Sequence, residues 1–306
     1  DHTQLRGFMN FFQAIFLGLV QALTEYLPVS SSAHVRIVGD LMLGSDPGAA
    51  FTAIIQIGTE LAVLLYFRHD IWNILKNWCI CLAGKNGKDW KHRLGEGNKD
   101  ARLGWYIIIA TLPIVFAGLL FQDAIENTLR NLWITAAMLL VFGIILWIVD
   151  DRAPQVKTID DMTTKDAVWY GIGQMLALIP GVSRSGGTIT FGRAMGYTRE
   201  AAVRCAFLMA IPAVFGAGIL EAVKAVKEAN DPTVNAMFPG WGATIAATVV
   251  AFVVGYIVII GFLKFVSTFS YKAFAIYRIA LAVIVAILLL TGVLQPLEGM
   301  ALGGNA

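Results

Sequence analysis

The sequence predicts an all-α, polytopic membrane protein built of two inverted repeats, each a re-entrant helical hairpin followed by three transmembrane helices. Three observations point there. The 306-residue chain is 57% hydrophobic and only 14% charged, with a mean hydropathy of +0.69, where an average soluble domain is about one-quarter charged. Several apolar runs approach the roughly 20 residues that cross a bilayer. The layout of the first half also returns in the second. Gly18-Leu-Val-Gln21, followed by Pro28-Val-Ser-Ser-Ser32, is matched by Gly171-Ile-Gly-Gln174, followed by Pro180-Gly-Val-Ser-Arg-Ser185. The two glutamines lie 153 residues apart (174 − 21), half the chain.

Each element follows from apolar runs and their breakers. The first repeat covers 8–150. Its hairpin, 8–43, is the apolar run from Phe8 to Leu23, a stop at Thr24–Pro28 and a short segment from Ser32 to Leu43; spans follow near 50–67, 105–121 and 132–149. The second repeat covers 151–294. Its hairpin, 167–195, is Ala167–Ile179, a Pro-Gly break and a shorter stretch to Met195; spans follow near 201–223, 241–266 and 273–293. The pieces on either side of each proline are too short for two full spans, so each hairpin returns to its own side.

Orientation follows from positive charge. The loop from Arg68 to Arg102 carries Arg68, Lys76, Lys85, Lys88, Lys91, Arg93, Lys99 and Arg102 and is expected in the cytoplasm. Three spans separate equivalent points of the halves. Three is odd, so the second half is inverted: the first hairpin enters from outside, the second from the cytoplasm, and their polar tips meet near the midplane. Both termini then fall outside. Interrupted helices build the site in inverted-repeat proteins, and irregular backbone at membrane depth survives only where protein or a water-filled cavity satisfies it.

A net charge of +2 gives no reason to expect a nucleic-acid partner. The three cysteines form no even disulfide framework and no zinc pattern; Cys79 and Cys81 are expected near a helix end as small apolar residues. No cleavable signal peptide is expected, because the first apolar run leads straight into a polar stretch. Asp1–Gly7 read poorly as native structure and are set aside.

The polar residues at the two breaks carry the chemistry. A carboxylate at membrane depth is costly, and Gln21 and Glu25 share a helix face at i, i+4. Ser30, Ser31 and Ser32 follow Pro28, where serines cap a new helix; a capped N-terminus also favours phosphate. His34 lies one turn after Ser31, within reach of its hydroxyl, in the pattern of a base beside a nucleophile. The second tip, Pro180-Gly-Val-Ser-Arg-Ser-Gly-Gly-Thr188, sets Arg184 between Ser183 and Ser185, beside Gly186. Arginine's planar fork matches phosphate oxygens, although an interfacial arginine also snorkels to headgroups. Together these groups fit phosphoryl transfer, which needs positioning and charge neutralisation. Glu25 with phosphate oxygens and water suits Mg²⁺ or Ca²⁺. Gln56 and Glu60, again i, i+4, either face the same cavity or pair with each other. Gln174 mirrors Gln21 and is expected to hold the second hairpin. Arg193, Arg199 and Arg204 read as positive charge at the cytoplasmic edge, and Tyr277 and Arg278 either contribute to the site or serve helix packing, with packing favoured.

"QALTEYLPVSSSAH" and "PGVSRSGGTI" resemble the two signature motifs of the undecaprenyl-pyrophosphate phosphatase family, also called the bacitracin-resistance family. The likeness runs from about Met9 to about Leu294 and includes Phe274-Ala-Ile-Tyr-Arg278. It implies an integral enzyme of the bacterial plasma membrane that hydrolyses undecaprenyl pyrophosphate to undecaprenyl phosphate and phosphate. That step recycles the lipid carrier of cell-wall synthesis, with a divalent cation and a site open to the outer face. On this likeness Glu25, Ser31, His34 and Arg184 are catalytic, Glu25 also holds the metal, and Gln21, Ser30, Ser183, Ser185, Gly186 and Thr188 bind substrate. Two positions depart from the pattern: Gln21 stands where many members have Glu, and Ala33 where many have Gly. Serine, histidine and water all remain open as nucleophile. Membrane lipid is the surrounding partner, and a homodimer stays open because no self-association motif stands out. The rival from the residues alone is an inverted-repeat transporter or flippase for an anion or lipid phosphate.

Overall fold

The structure, a computed structural model, describes residues 9–228 and 238–297; Asp1–Gly7 lie outside them. The helices in chain order are α1 (Phe11–Thr24), α2 (Ser31–Leu43), α3 (Ala49–Tyr66), α4 (Arg68–Leu82), α5 (Trp90–Arg93), α6 (Lys99–Leu120), α7 (Gln122–Glu126), α8 (Leu132–Arg152), α9 (Thr164–Leu176), α10 (Arg184–Ala194), α11 (Arg199–Glu228), α12 (Trp241–Thr268) and α13 (Lys272–Leu290). Among the described residues there is no β-strand, only a single parallel bridge between Lys157 and Tyr197. Polar side chains start several helices: Asn10 and Gln13 form a reciprocal cap on α1, and Asn98 caps α6, each satisfying backbone N–H groups that have no partner inside the helix.

Helices α6, α8, α11, α12 and α13 are long and apolar enough to cross a membrane, and α3 with α4 makes a sixth candidate bent by 75°. The segment Arg68–Arg102 is a correction. It is not a loop but largely helical: α4 leaves α3 at the Phe67 bend, α5 follows, and α6 already begins at Lys99. Charges on a helix beyond the apolar layer look the same in sequence as charges on a loop. Cys81 is buried and Cys79 exposed, both near the end of α4.

In each broken segment the two arms pack against each other. Met9, before α1, and Leu43, the last residue of α2, belong to one apolar cluster with Leu17, Val35 and Phe51. Tyr197, just past α10, donates its hydroxyl to Asp166 in the first turn of α9 (2.7 Å). Between these arms α9 and α10 approach so closely that a Cβ on Gly187 would lie 2.5 Å from the Gly173 carbonyl oxygen.

One end of the molecule is tied by a buried charge cluster. Arg193 is fully buried and is not an edge charge, as its sequence context suggests. Its Nε donates to Asp150 Oδ1 (2.8 Å), and its four remaining N–H groups reach the carbonyls of Pro154, Tyr197, Asp150 and Ala153. All five guanidinium donors are thereby used. Asp150 also accepts from Arg199 and from the Tyr271 backbone, joining the ends of α8, α10, α11 and α13. Arg199 and Arg204 are partly exposed and ion-paired, the latter with Glu200.

Candidate functional site

The site is made where the two breaks meet. Helix α1 ends at Thr24, and the chain turns through Glu25–Val29 before Ser30 starts α2 with φ 70°. Ser183 starts α10 in the same way, with φ 77°. These are the two non-glycine residues with positive φ among the described residues. Such a conformation costs on the order of 1–3 kcal/mol and gathers at functional sites. Each serine caps its helix, Ser30 accepting from the Ala33 N–H (3.3 Å) and Ser183 from the Gly186 N–H (3.0 Å). Each also lies 3.2 Å from a second hydroxyl, Ser32 or Ser185. Ser31 and Arg184 therefore hold the same place, the first residue of a helix whose N-terminus points into the break.

Glu25 joins the halves. Its Oε1 accepts from Arg184 Nη1 at 3.1 Å, and its Oε2 accepts from the Ser31 hydroxyl and the Gln21 amide, both at 2.7 Å. Ser185 donates to the Leu27 carbonyl at 3.0 Å. Ser31 is thus held by Glu25 and not by His34, which corrects the expected pairing. His34 Nδ1 lies 2.7 Å from the Ser30 carbonyl. A carbonyl only accepts, so Nδ1 carries the hydrogen, and the neutral ring's Nε2 accepts from the Tyr277 hydroxyl at 2.6 Å. The two rings stack at 5.5 Å. Tyr277 accordingly belongs to the site and not to helix packing alone.

The family model for the bacitracin resistance protein BacA matches residues 14–284, nearly the whole chain, both tips included. The chain belongs to the BacA family. It is 85% identical over 298 residues to the undecaprenyl-diphosphatase of Bifidobacterium animalis subsp. lactis, covering 97% of this chain and all of that relative. It is 53% identical over 289 residues to undecaprenyl-diphosphatase 2 of Agrobacterium fabrum (94% and 98% covered). With the undecaprenyl-diphosphatase of Pseudarthrobacter chlorophenolicus it shares 52% over 288 residues (94% and 100%).

In this BacA-family chain Arg278 builds the scaffold of the site. It is fully buried. Its five N–H groups reach the carbonyls of Leu139, Pro28, Val182, Met138 and Gly181 at 2.7–3.3 Å. Pro28, Gly181 and Val182 lie in the breaks, where no helix supplies a donor, and a buried bare carbonyl costs about 1–3 kcal/mol. Packing is therefore the right reading for Arg278. Gly181 (φ 100°) lies so close to Thr135 that a Cβ would sit 2.4 Å from its carbonyl oxygen, a position only glycine fills. A Cβ on Gly186 would come within 2.8 Å of Arg278 Nη1, so Gly186 makes room for the guanidinium.

Beside the ion pair lies a narrow cavity of about 20 Å³, lined by Glu25, Tyr26, Glu60, Arg184, Ser185 and Phe207 among others, room for about one water. Of the residues expected at the site, Gln21, Ser31 and Arg184 meet at Glu25, and Ser185 lines the cavity with Glu25 and Arg184. Ser30 and Ser183 act as caps, and Thr188 turns its hydroxyl back onto the Arg184 carbonyl (2.8 Å). Gln174 is fully buried, but neither of its amide atoms has a hydrogen-bond partner, so its side chain does not hold the second hairpin by hydrogen bonding. Gln56 and Glu60 are not joined; Glu60 turns to the cavity. Thr59, which receives a 3.4 Å bond from Gln21, and Tyr26, whose hydroxyl donates to the Thr59 carbonyl (2.6 Å), carried no sequence signal.

Proposed function

We propose that this chain is an undecaprenyl-diphosphatase of the bacterial plasma membrane, which hydrolyses undecaprenyl pyrophosphate to undecaprenyl phosphate and phosphate with its site open to the outer face. The observation that carries the chemistry is the junction of Glu25 with both Ser31 and Arg184 across the two tips. The N-termini of α2 and α10 favour an anion at this point, and the Arg184 fork binds phosphate oxygens. Glu25 is positioned to take the proton of Ser31 as its oxygen attacks the terminal phosphorus, or of a water held at the same carboxylate. The phosphoanhydride bond breaks and undecaprenyl phosphate leaves; attack by water frees phosphate at once, whereas attack by Ser31 leaves a phosphoserine that a second water hydrolyses to phosphate and the free hydroxyl. His34, fixed by Ser30 and Tyr277, presents Nε2 beside a phenol that can pass a proton.

A divalent cation, Mg²⁺ or Ca²⁺, fits the donors. Glu25 offers a hard carboxylate, and a second buried carboxylate oxygen, Glu60 Oε1, has no hydrogen-bond partner on the same cavity. When bound, it supplies neutralisation of the pyrophosphate charge.

The test is phosphate release from undecaprenyl pyrophosphate by detergent-purified protein with Mg²⁺, Ca²⁺ or chelator, beside Glu25→Gln and Arg184→Ala. Cation-dependent release that falls at least about 10²-fold in both folded variants is expected. Absence of release from folded wild-type protein would overturn the proposal and favour lipid-phosphate transport, measurable as flux in liposomes.

A further inference from the structure

We infer that Glu60, a residue outside both signature motifs, is the second carboxylate of the site and binds the divalent cation together with Glu25 across the narrow cavity. The inference rests on the phosphatase reading above. The two tips bring one carboxylate to the junction, because position 21 is Gln. Helix α3 brings another. Glu60 is 4% exposed and lines the cavity with Glu25 and Arg184. Its Oε1 is buried with no hydrogen-bond partner, and no cationic side chain lies within ion-pair distance of it among the described residues.

Charge balance gives this arrangement a direction. Arg184 is joined to Glu25 at 3.1 Å, so one carboxylate of the two has a cationic partner and one does not. A buried carboxylate is retained only with a partner, a coordinated metal, or a proton. A hard cation that takes oxygen ligands supplies what Glu60 lacks, and the Tyr26–Thr59 bond anchors the neighbouring turn of α3 to the first tip. Glu25 is already shared among Arg184, Ser31 and Gln21, so Glu60 is the ligand whose oxygen is free to bind.

The test is direct binding of Mn²⁺ to the full detergent-solubilised chain, read by electron paramagnetic resonance, for wild type, Glu60→Gln and Glu60→Asp, with phosphate release measured in parallel. Gln keeps the shape and removes only the charge. Expected are Mn²⁺ binding at least about tenfold weaker in Glu60→Gln, partial recovery in Glu60→Asp, and an unchanged melting temperature. A Glu60→Gln variant that binds Mn²⁺ like wild type would overturn the inference, because a neutral amide oxygen holds a divalent cation far more weakly than a carboxylate. Should Glu60→Gln fail to fold, Glu60→Leu, which removes both charge and oxygen from the apolar-lined side of the cavity, takes its place, and Mn²⁺ binding like wild type would overturn the inference equally. The two failures are distinguishable: wild-type cation-dependent hydrolysis with an unaffected Glu60→Gln removes only the role of Glu60, whereas absent wild-type hydrolysis removes the phosphatase reading itself.

Discussion

Replacing Arg278 tests whether its guanidinium holds backbone or substrate. Its five N–H groups reach five carbonyls, of which Pro28, Gly181 and Val182 receive no other hydrogen bond among the described residues. Leaving a buried acceptor unpaired costs about 1–3 kcal/mol. Arg278→Met strands all three, a loss of about 3–9 kcal/mol, a large share of the roughly 5–15 kcal/mol by which proteins are stable. Arg278→Lys offers its donors from one nitrogen where Nη1 serves Pro28 and Val182 and Nη2 serves Gly181, so at least one of the three is left bare, a loss of about 1–3 kcal/mol. The assay is the apparent melting temperature in detergent, followed by tryptophan fluorescence, with phosphate release measured on the folded fraction. Arg278→Lys should melt about 2–10 °C lower, and Arg278→Met should not accumulate as folded protein. A Lys variant that melts with wild type yet loses phosphate release would refute the scaffold role and assign the guanidinium to substrate.

Other perturbations are expected to separate scaffold from chemistry. Asp150→Ala removes the carboxylate beside buried Arg193 and partly buried Arg199 and should cost about 3–5 kcal/mol; limited trypsin digestion in detergent should show faster cleavage, with turnover per folded molecule unchanged. Gly181→Ala forces a Cβ onto a φ of 100° against Thr135, costing at least about 1–3 kcal/mol, read as a lower melting temperature. Tyr277→Phe removes the hydroxyl on His34 Nε2 and should lower kcat about tenfold, about 1.4 kcal/mol of barrier, while stability stays put; equal kcat would remove Tyr277 from the chemistry.

The breaks were legible because their signals are local. Pro28 and Pro180 stop one helix, and hydroxyls two or three residues later start the next. Glu25 and Arg184 do pair, as a meeting of the two polar breaks requires. The partner of Ser31 did not follow. Spacing places His34 one turn away, but the Ser30 carbonyl captures the imidazole and leaves the hydroxyl to Glu25. Arg193 was misread because its counter-charge, Asp150, lies 43 residues earlier in the chain. Between a site contribution and packing, the sequence favours packing for Tyr277, because the apolar sequence of α13 does not show which face turns to His34. Glu60 stood in plain view at i+4 from Gln56, yet only the fold shows that it turns to the cavity and away from its neighbour.

Arg278 also ties the completion of the site to the direction of protein synthesis. Both hairpin tips are made well before α13, since Pro28 and Val182 precede Lys272 in the chain. A nascent chain emerges N-terminus first and its early parts fold first. Until α13 arrives, the carbonyls of Pro28, Gly181 and Val182 lack the donors that hold them in the finished protein. Helix α13 is thus a latch: the two tips gain the donors that hold them together only once this helix has been made and packed beside them.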